Sequence, residues 1–112
     1  MAERRTEPRK KFKLYMRVVD DDTQKTLGHM MDISADGLQL ETSVELPADK
    51  DYYLRVELTP ELADRPYMVF VAKSRWCRPG NIPMLFYTGF RIVEIMPDDK
   101  IIFESLVKKF GS

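Results

Sequence analysis

The chain has 112 residues, enough for one domain that buries a core without metals or disulfides. Its 44% hydrophobic and 32% charged residues are typical of a globular protein and exclude a disordered one. Eighteen basic and eighteen acidic residues cancel, so the net charge gives no general attraction to nucleic acid or membranes.

The N-terminal residues differ from the rest in charge. Residues 1–13 hold six basic and two acidic side chains, a net of +4. Residues 1–11 show no hydrophobic periodicity, which predicts a flexible basic arm that meets an anionic partner, ahead of a folded domain over residues 12–112. No segment has the apolar length of a signal peptide or membrane span, and Cys77 is the only cysteine. These features predict a cytoplasmic protein without a disulfide.

Six segments alternate apolar and polar residues, which predicts six β-strands. In the second, the pattern places Leu27, His29, Met31 and Ile33 on one inward face. In the sixth, Gly89 indicates a bulge or a close backbone approach. The predicted strands cover residues 12–19, 25–33, 38–42, 52–58, 67–78 and 84–93.

Near the end of the chain, the spacing of apolar residues changes from that of a strand to that of a helix. Phe103, Leu106, Val107 and Phe110 follow i, i+3, i+4, i+7 spacing, which predicts an amphipathic helix, and Gly111 is a suitable C-cap. Short strands with frequent turns favour a mainly β fold, a six-stranded antiparallel barrel, because closure removes exposed strand edges. The C-terminal helix would pack against it. A two-sheet sandwich is the alternative.

The sequence contains no pattern typical of catalysis. His29 is the only histidine, and its place on an apolar strand face predicts a packed residue rather than a base for Cys77 or a serine. No ligand spacing of a zinc site and no glycine-rich phosphate loop is present. We therefore expect no enzyme activity, no catalytic residue, no metal and no cofactor.

Residues 32–37, with the sequence Asp-Ile-Ser-Ala-Asp-Gly, connect the second and third predicted strands. Asp32 and Ser34 are two apart, so their side chains share one face of an extended backbone. Gly37 follows where the chain should turn, and glycine can take a positive φ. A carboxylate, a hydroxyl and a bare backbone amide would then converge on one small surface. The alternative is a local turn that caps its own backbone.

Two arginines precede the first strand. Arg5 and Arg9 are four residues apart, and Pro8 favours an extended backbone between them. A guanidinium binds phosphate bidentately and also pairs with guanine O6 and N7. Ionised Asp32 only accepts hydrogen bonds, which suits guanine N1–H and its exocyclic amine. A ligand with both phosphate and guanine explains all three residues; a solvated basic tail is the alternative.

The order Arg5-x-x-x-Arg9, then Asp32-x-Ser34-x-x-Gly37 after one hairpin, resembles the PilZ domain family. The similarity extends to a tryptophan in the fifth strand, a Gly-Phe pair in the sixth and the final helix, so it covers essentially the whole chain. It implies a stand-alone receptor of the PilZ type for cyclic di-GMP, a bacterial second messenger with two guanines and two phosphates.

The resemblance also implies roles for the motif residues. Arg5 and Arg9 would clamp phosphate and the guanine O6/N7 edge. Asp32 and Ser34 would hydrogen-bond a guanine, while Gly37 lets the backbone approach closely.

Two further residues enter through the same resemblance. Arg4 directly precedes the motif, and in this family an arginine there accompanies two mutually intercalated ligand molecules instead of one. Trp76 is placed like family aromatics near the ligand, with a half-buried barrel tryptophan as the alternative.

Ligand binding is expected to order the arm over the barrel and change the surface offered to a downstream protein, in motility, adhesion or polysaccharide machinery by family analogy. Two other classes stay open. A single-stranded nucleic-acid binder fits a small barrel with a basic arm, although the near-zero net charge opposes it. A protein-interaction adaptor would bind no nucleotide.

Overall fold

Six antiparallel strands close into a barrel, and one helix follows them. The computed structural model describes residues 15–111, so the predicted arm and residues 12–14 of the predicted first strand lie outside it. The predicted mainly β barrel with a C-terminal helix is confirmed, and the sandwich alternative is wrong. The elements are β1 (Arg17–Asp20), β2 (Lys25–Ser34), β3 (Gly37–Thr42), β4 (Asp51–Glu57), β5 (Tyr67–Pro79), β6 (Phe86–Glu94) and α1 (Pro97–Phe110).

The strand order around the barrel is β1-β2-β3-β6-β5-β4. Four of the six seams therefore join strands that are neighbours in the sequence. The other two, β3–β6 and β1–β4, join strands that are distant in the sequence. These two seams close the barrel and leave no strand edge unpaired within residues 15–111.

The core fills the barrel from alternate positions of each strand. In β4, Leu54 and Val56 are fully buried, while Arg55 between them faces outward. α1 adds Phe103 and Leu106, and the Phe103 ring lies edge-on to Phe70 with centroids 5.9 Å apart. Each fully buried large apolar side chain contributes about 1.5–3 kcal/mol, so this packing holds α1 on the barrel.

α1 has the end signals that its sequence predicts. Pro97 lies in its first turn, where a missing backbone N–H costs nothing. At the other end, the backbone N–H of Gly111 donates to the Val107 carbonyl over 2.8 Å, which confirms the predicted C-cap. The first-turn residue Asp99 is buried, and Arg65 Nη2 lies 3.3 Å from its Oδ1. Within residues 15–111, no helix has the length and apolar character needed to cross a membrane.

The inward face of β2 differs from the prediction. Met30 and Ile33 are buried although they are three residues apart. The register of β2 against β3 shifts after Met30, and this bulge inserts an extra residue that changes which side chains point inward. Leu27, His29 and Met31, predicted to share the inward face, are only half-buried.

The start of β6 also differs. The predicted strand begins at Met84, but Met84 has a φ of 65° and lies in the loop before the strand. The backbone N–H of Gly80 donates to the Leu85 carbonyl over 2.7 Å and closes this loop. Pairing therefore begins at Phe86, opposite Pro79.

Candidate ligand-binding site

The hairpin between β2 and β3 carries the predicted motif. Ser34 and Gly37 pair directly, so Ala35 and Asp36 form a two-residue loop. The Asp36 carbonyl accepts a 2.9 Å hydrogen bond from the backbone N–H of Ile92 in β6. The hairpin tip is therefore fixed to β6 and is not a free loop.

The motif also makes the local contact that the turn alternative predicts. The backbone N–H of Ile33 donates to Asp32 Oδ1 over 2.9 Å. This bond holds the Asp32 carboxylate near its own backbone, at the end of β2. The two readings of the segment are compatible, because a carboxylate oxygen accepts more than one hydrogen bond.

Gly37 is required for a reason other than the predicted turn. It has no positive φ, so the predicted left-handed turn role is wrong. A Cβ built on Gly37 would lie 2.0 Å from the carbonyl oxygen of Phe90 in β6. β3 and β6 approach each other more closely here than any side chain allows, so Gly37 permits close packing of the two strands.

Four paired residues form a row across the outer face of β2, β3, β6 and β5. Asp32 pairs with Gln39, Gln39 with Gly89, and Gly89 with Trp76. Directly paired residues share one face of a sheet, and neighbouring strands are about 4.8 Å apart. The backbones of Asp32 and Trp76, at the two ends of this first row, are therefore about 14 Å apart, with Gln39 and Gly89 between them.

The indole of Trp76 lies directly against Gly89. A Cβ on Gly89 would be 2.4–2.6 Å from three ring atoms of Trp76, so the close neighbour at this glycine is a side chain and not the backbone that the sequence predicted. The bulge is in the partner strand, where the register shifts between Ser74 and Trp76. The side chain of Trp76 is 37% exposed, and the Arg78 guanidinium lies 4.7 Å from its ring centroid.

A second row runs parallel to the first, nearer the hairpin tip. Ser34 pairs with Gly37, Gly37 with Arg91, and Arg91 with Lys73. It sets a hydroxyl, a bare backbone and two cationic side chains side by side on the outer face. Arg91 was not among the predicted site residues, although its position two residues after Gly89 places it on the same face of β6.

The two rows border an open pocket with a volume of about 340 Å³. Asp32 lines this pocket from β2, and Arg75 and Arg91 line it from β5 and β6. The pocket therefore offers hydrogen-bond acceptors at one end and positive charge at the other. Its lining includes Asp32, Ser34, Gly37, Trp76, Arg75 and Arg91.

The first described residue, Tyr15, is anchored beside this site. Its ring stacks on His29 with centroids 4.5 Å apart and planes 9° apart. Its hydroxyl donates to the Glu41 carboxylate, and this hydrogen bond raises the pKa of Tyr15. Glu41 pairs with His29 and lies two residues after Gln39, so the chain enters the barrel on the outer face of β2 and β3. The predicted residues Arg4, Arg5 and Arg9 lie outside the described residues.

The described residues form no metal site, and their single cysteine has a structural contact. No group of three His, Cys, Asp or Glu side chains within residues 15–111 is arranged to hold a metal ion. Cys77 is half-buried, and its sulfur accepts a 3.3 Å hydrogen bond from the Thr88 hydroxyl. Cys77 thus contributes to packing between β5 and β6.

Comparison with known proteins agrees with this architecture. The profile of the PilZ domain matches residues 3–109 of the chain. No curated protein and no solved structure matches the chain. The matched range holds the Arg5–Arg9 segment, the Asp32–Gly37 motif, every strand and nearly all of α1. The chain belongs to the PilZ domain family.

Proposed function

We propose that this protein is a receptor for cyclic di-GMP, which binds on the outer face of the barrel and regulates a protein partner. The observation that carries the proposal is the first row, Asp32-Gln39-Gly89-Trp76, beside an open pocket in a chain of the PilZ family. Domains of this family are known as binding domains, which supports ligand recognition as the proposed function.

The Asp32 end of the row is suited to guanine. An ionised carboxylate accepts the N1–H and the exocyclic amine of guanine, and adenine does not present this pair of donors. Gln39 lies directly beside Asp32 and offers both an amide donor and a carbonyl acceptor. This end of the pocket therefore favours a guanine base over an adenine.

The Trp76 end is suited to stacking. The half-exposed indole lines the pocket and is held in place by Gly89 beneath it. Bases stack on aromatic rings, so the indole can hold a base of the ligand. A ligand with two bases can meet Asp32 with one and the indole with the other.

The arm completes the site in this proposal. Arg5 and Arg9 supply phosphate and guanine O6/N7 contacts, and Arg4 accompanies a second ligand molecule. Support comes from Tyr15, which joins the arm to the same outer face of β2 and β3 that carries Asp32. Ordering of the arm over the ligand changes the surface that meets a downstream protein in motility, adhesion or polysaccharide machinery.

Calorimetric titration of the chain with cyclic di-GMP tests the proposal, with GTP and cyclic di-AMP as comparison ligands. We expect saturable binding of cyclic di-GMP alone, with one or two molecules per chain. Arg5→Ala and Arg9→Ala should each weaken binding about ten- to a hundredfold, because each removes a charge-assisted contact. No heat and no competition at high ligand concentration would favour the adaptor alternative.

Arg17→Ala is the matched control for charge. Arg17 is on the outer face of β1, where its Nη2 lies 3.1 Å from the Glu57 carboxylate, and it does not line the pocket. The variant loses the same single charge as the arm variants. It should bind the ligand like the unaltered protein.

Limited proteolysis tests the ordering of the arm. Ligand should protect the arm, residues 1–11, from cleavage and leave the cleavage pattern of the barrel unchanged. Equal cleavage of the arm with and without saturating ligand would contradict the ordering mechanism, even if the ligand binds.

A further inference from the structure

We infer that the barrel itself provides a phosphate subsite, formed by the guanidinium groups of Arg91 and Arg75 at the bare backbone of Gly37. This inference rests on the proposed function and deepens it. It assigns one of the two phosphates of the ligand to β5 and β6, and leaves the arm arginines for the remaining phosphate and the guanine edge.

Gly37 gives the pocket a floor of bare backbone. Ser34 and Arg91 both pair with Gly37, from opposite sides, and all three residues line the pocket. The β6 backbone lies where a Gly37 side chain would stand, so no side chain at this position separates Ser34 from Arg91. The Arg91 side chain is long enough to reach an anion in the pocket, and its guanidinium fork matches two phosphate oxygens.

Arg75 reaches the same pocket because of the bulge in β5. The register shift between Ser74 and Trp76 leaves Arg75 as an extra residue with no partner position on β6. It is exposed and lines the pocket together with Arg91. The bulge therefore adds a second guanidinium between the two rows, where regular pairing would not place one.

The charge balance of the described arginines supports this assignment. Of the four described arginines that do not line the pocket, Arg17, Arg55 and Arg65 each have a carboxylate oxygen within 3.3 Å, and Arg78 lies over the Trp76 ring. Within residues 15–111, neither Arg91 nor Arg75 forms an ion pair or hydrogen bond with another side chain. Two guanidinium groups that line one pocket, without a carboxylate partner among the described residues, attract an external anion.

The spacing also fits a guanine nucleotide. Arg91 follows Gly89 by two residues, so the two rows are about 7 Å apart along the strands. A base held at Asp32 in the first row therefore has its phosphate side within reach of the second row. Lys73, paired with Arg91, already has the Asp51 carboxylate 3.4 Å from its Nζ, so the phosphate is assigned to the arginines.

The test compares cyclic di-GMP binding by Arg91→Ala, Arg91→Lys, Arg75→Ala and the control Arg17→Ala. Arg91→Ala should weaken binding about tenfold, since a charge-assisted contact is lost at a solvent-exposed site. Arg91→Lys keeps the positive charge but loses the two-pronged guanidinium, so its affinity should lie between those of Arg91→Ala and the unaltered protein. Arg17→Ala should stay within about twofold of the unaltered protein.

Phosphorus-31 NMR of the bound ligand separates a phosphate contact from a base contact. The resonance of one ligand phosphate should move in Arg91→Ala and in Arg75→Ala, and stay unchanged in Arg17→Ala. Weakened binding with an unchanged phosphorus spectrum would mean that these arginines contact a base, which would overturn the phosphate subsite.

The remaining outcomes distinguish this inference from the proposed function. If the unaltered protein binds and both pocket variants match Arg17→Ala, the subsite is wrong and the receptor function stands. If the unaltered protein does not bind cyclic di-GMP, both the phosphate subsite and the receptor function are wrong. Both arginines are exposed, so the thermal midpoints of the variants should match the unaltered protein; if one variant fails to fold, the other decides.

Discussion

Two sides of the barrel are built differently. On the regular side, formed by β4 and residues 67–73 of β5, the two strands pair through seven consecutive residue pairs without a register shift. The side that carries the proposed binding site, called the ligand side below, is formed by β2, β3, β6 and residues 74–79 of β5. Its β2–β3 and β5–β6 seams each contain register shifts. The ligand side also has Gly37 and Gly89, where a Cβ would clash with a neighbour.

The two sides also differ in how charge is balanced. On the regular side, Arg55 Nη1 lies 2.9 Å from Asp21, and Lys73 Nζ lies 3.4 Å from Asp51. On the ligand side, Arg75 and Arg91 have no such partner among residues 15–111. On the regular side, charged side chains form ion pairs within the fold, whereas Arg75 and Arg91 on the ligand side are available to bind an anion. Stability and binding should therefore respond to different substitutions.

The largest expected effect is on the regular side. Leu54→Ala removes a side chain with no exposed surface and should lower the free energy of unfolding by about 3 kcal/mol, because it leaves a cavity. Urea denaturation measures this loss. The affinity for cyclic di-GMP should stay within about twofold, measured where the variant is folded. A large loss of affinity would show that the two sides are coupled.

The next effect is on the ligand side. Gly37→Ala places a Cβ 2.0 Å from the Phe90 carbonyl oxygen, so β3 and β6 must separate. We expect a loss of about 2 kcal/mol in unfolding free energy, together with weaker ligand binding.

Gly80→Ala is the control for this substitution. Its Cβ would meet Leu85 Cγ and Cδ2 at 2.9 Å and the Leu85 carbonyl oxygen at 3.1 Å, so a small shift of this loop makes room. The control should lose less than about 1 kcal/mol. Equal losses in Gly37→Ala and Gly80→Ala would refute the close-approach role of Gly37.

A third substitution separates binding from stability. Gly89→Ala would push the Trp76 ring off the strand, because three ring atoms lie within 2.6 Å of the new Cβ. Affinity should fall about tenfold, or 1.4 kcal/mol, with a smaller change in stability. Trp76 is the only tryptophan, so its fluorescence should shift to longer wavelength. An unchanged emission spectrum would contradict the proposed displacement.

The smallest effect is again on the regular side. Arg55→Ala removes the contact with Asp21 and the guanidinium 5.5 Å from the Tyr67 ring. Unfolding free energy should fall by about 0.5 kcal/mol, with no change in ligand affinity. Repeating the urea titration at high salt should shrink the difference, since salt screens partly exposed pairs. A difference that grows with salt would exclude an electrostatic origin.

The regular side was predictable from sequence because each strand there keeps a strict alternation. In β4, Leu54 and Val56 point inward and Arg55 outward, as the period of two predicts. The ligand side was predicted less well. In β2 the bulge after Met30 changes which alternate side chains point inward. His29 therefore lies on the outer face, where it stacks on Tyr15, instead of in the core.

The site was predicted in part for the same reason. Asp32, Ser34 and Gly37 are close in sequence, and their spacing alone places them on one hairpin. Arg91 joins them only through the β3–β6 pairing, and Arg75 only through a bulge. Neither carries a local sequence signal, because register between distant strands depends on the whole barrel. The roles of Arg4, Arg5 and Arg9 stay predictions.

The β3–β6 seam has a consequence for folding kinetics. The β2–β3 hairpin joins residues that are close in the sequence, so its contacts can form early and at a small entropic cost. Pairing of Gly37 with Arg91 requires closure of a long loop, and such contacts form late. The pocket lies across this seam. In a nascent or partly unfolded chain, Asp32 and Ser34 can therefore lie on a formed hairpin before Arg91 pairs with Gly37. The pocket is complete only when the barrel has closed.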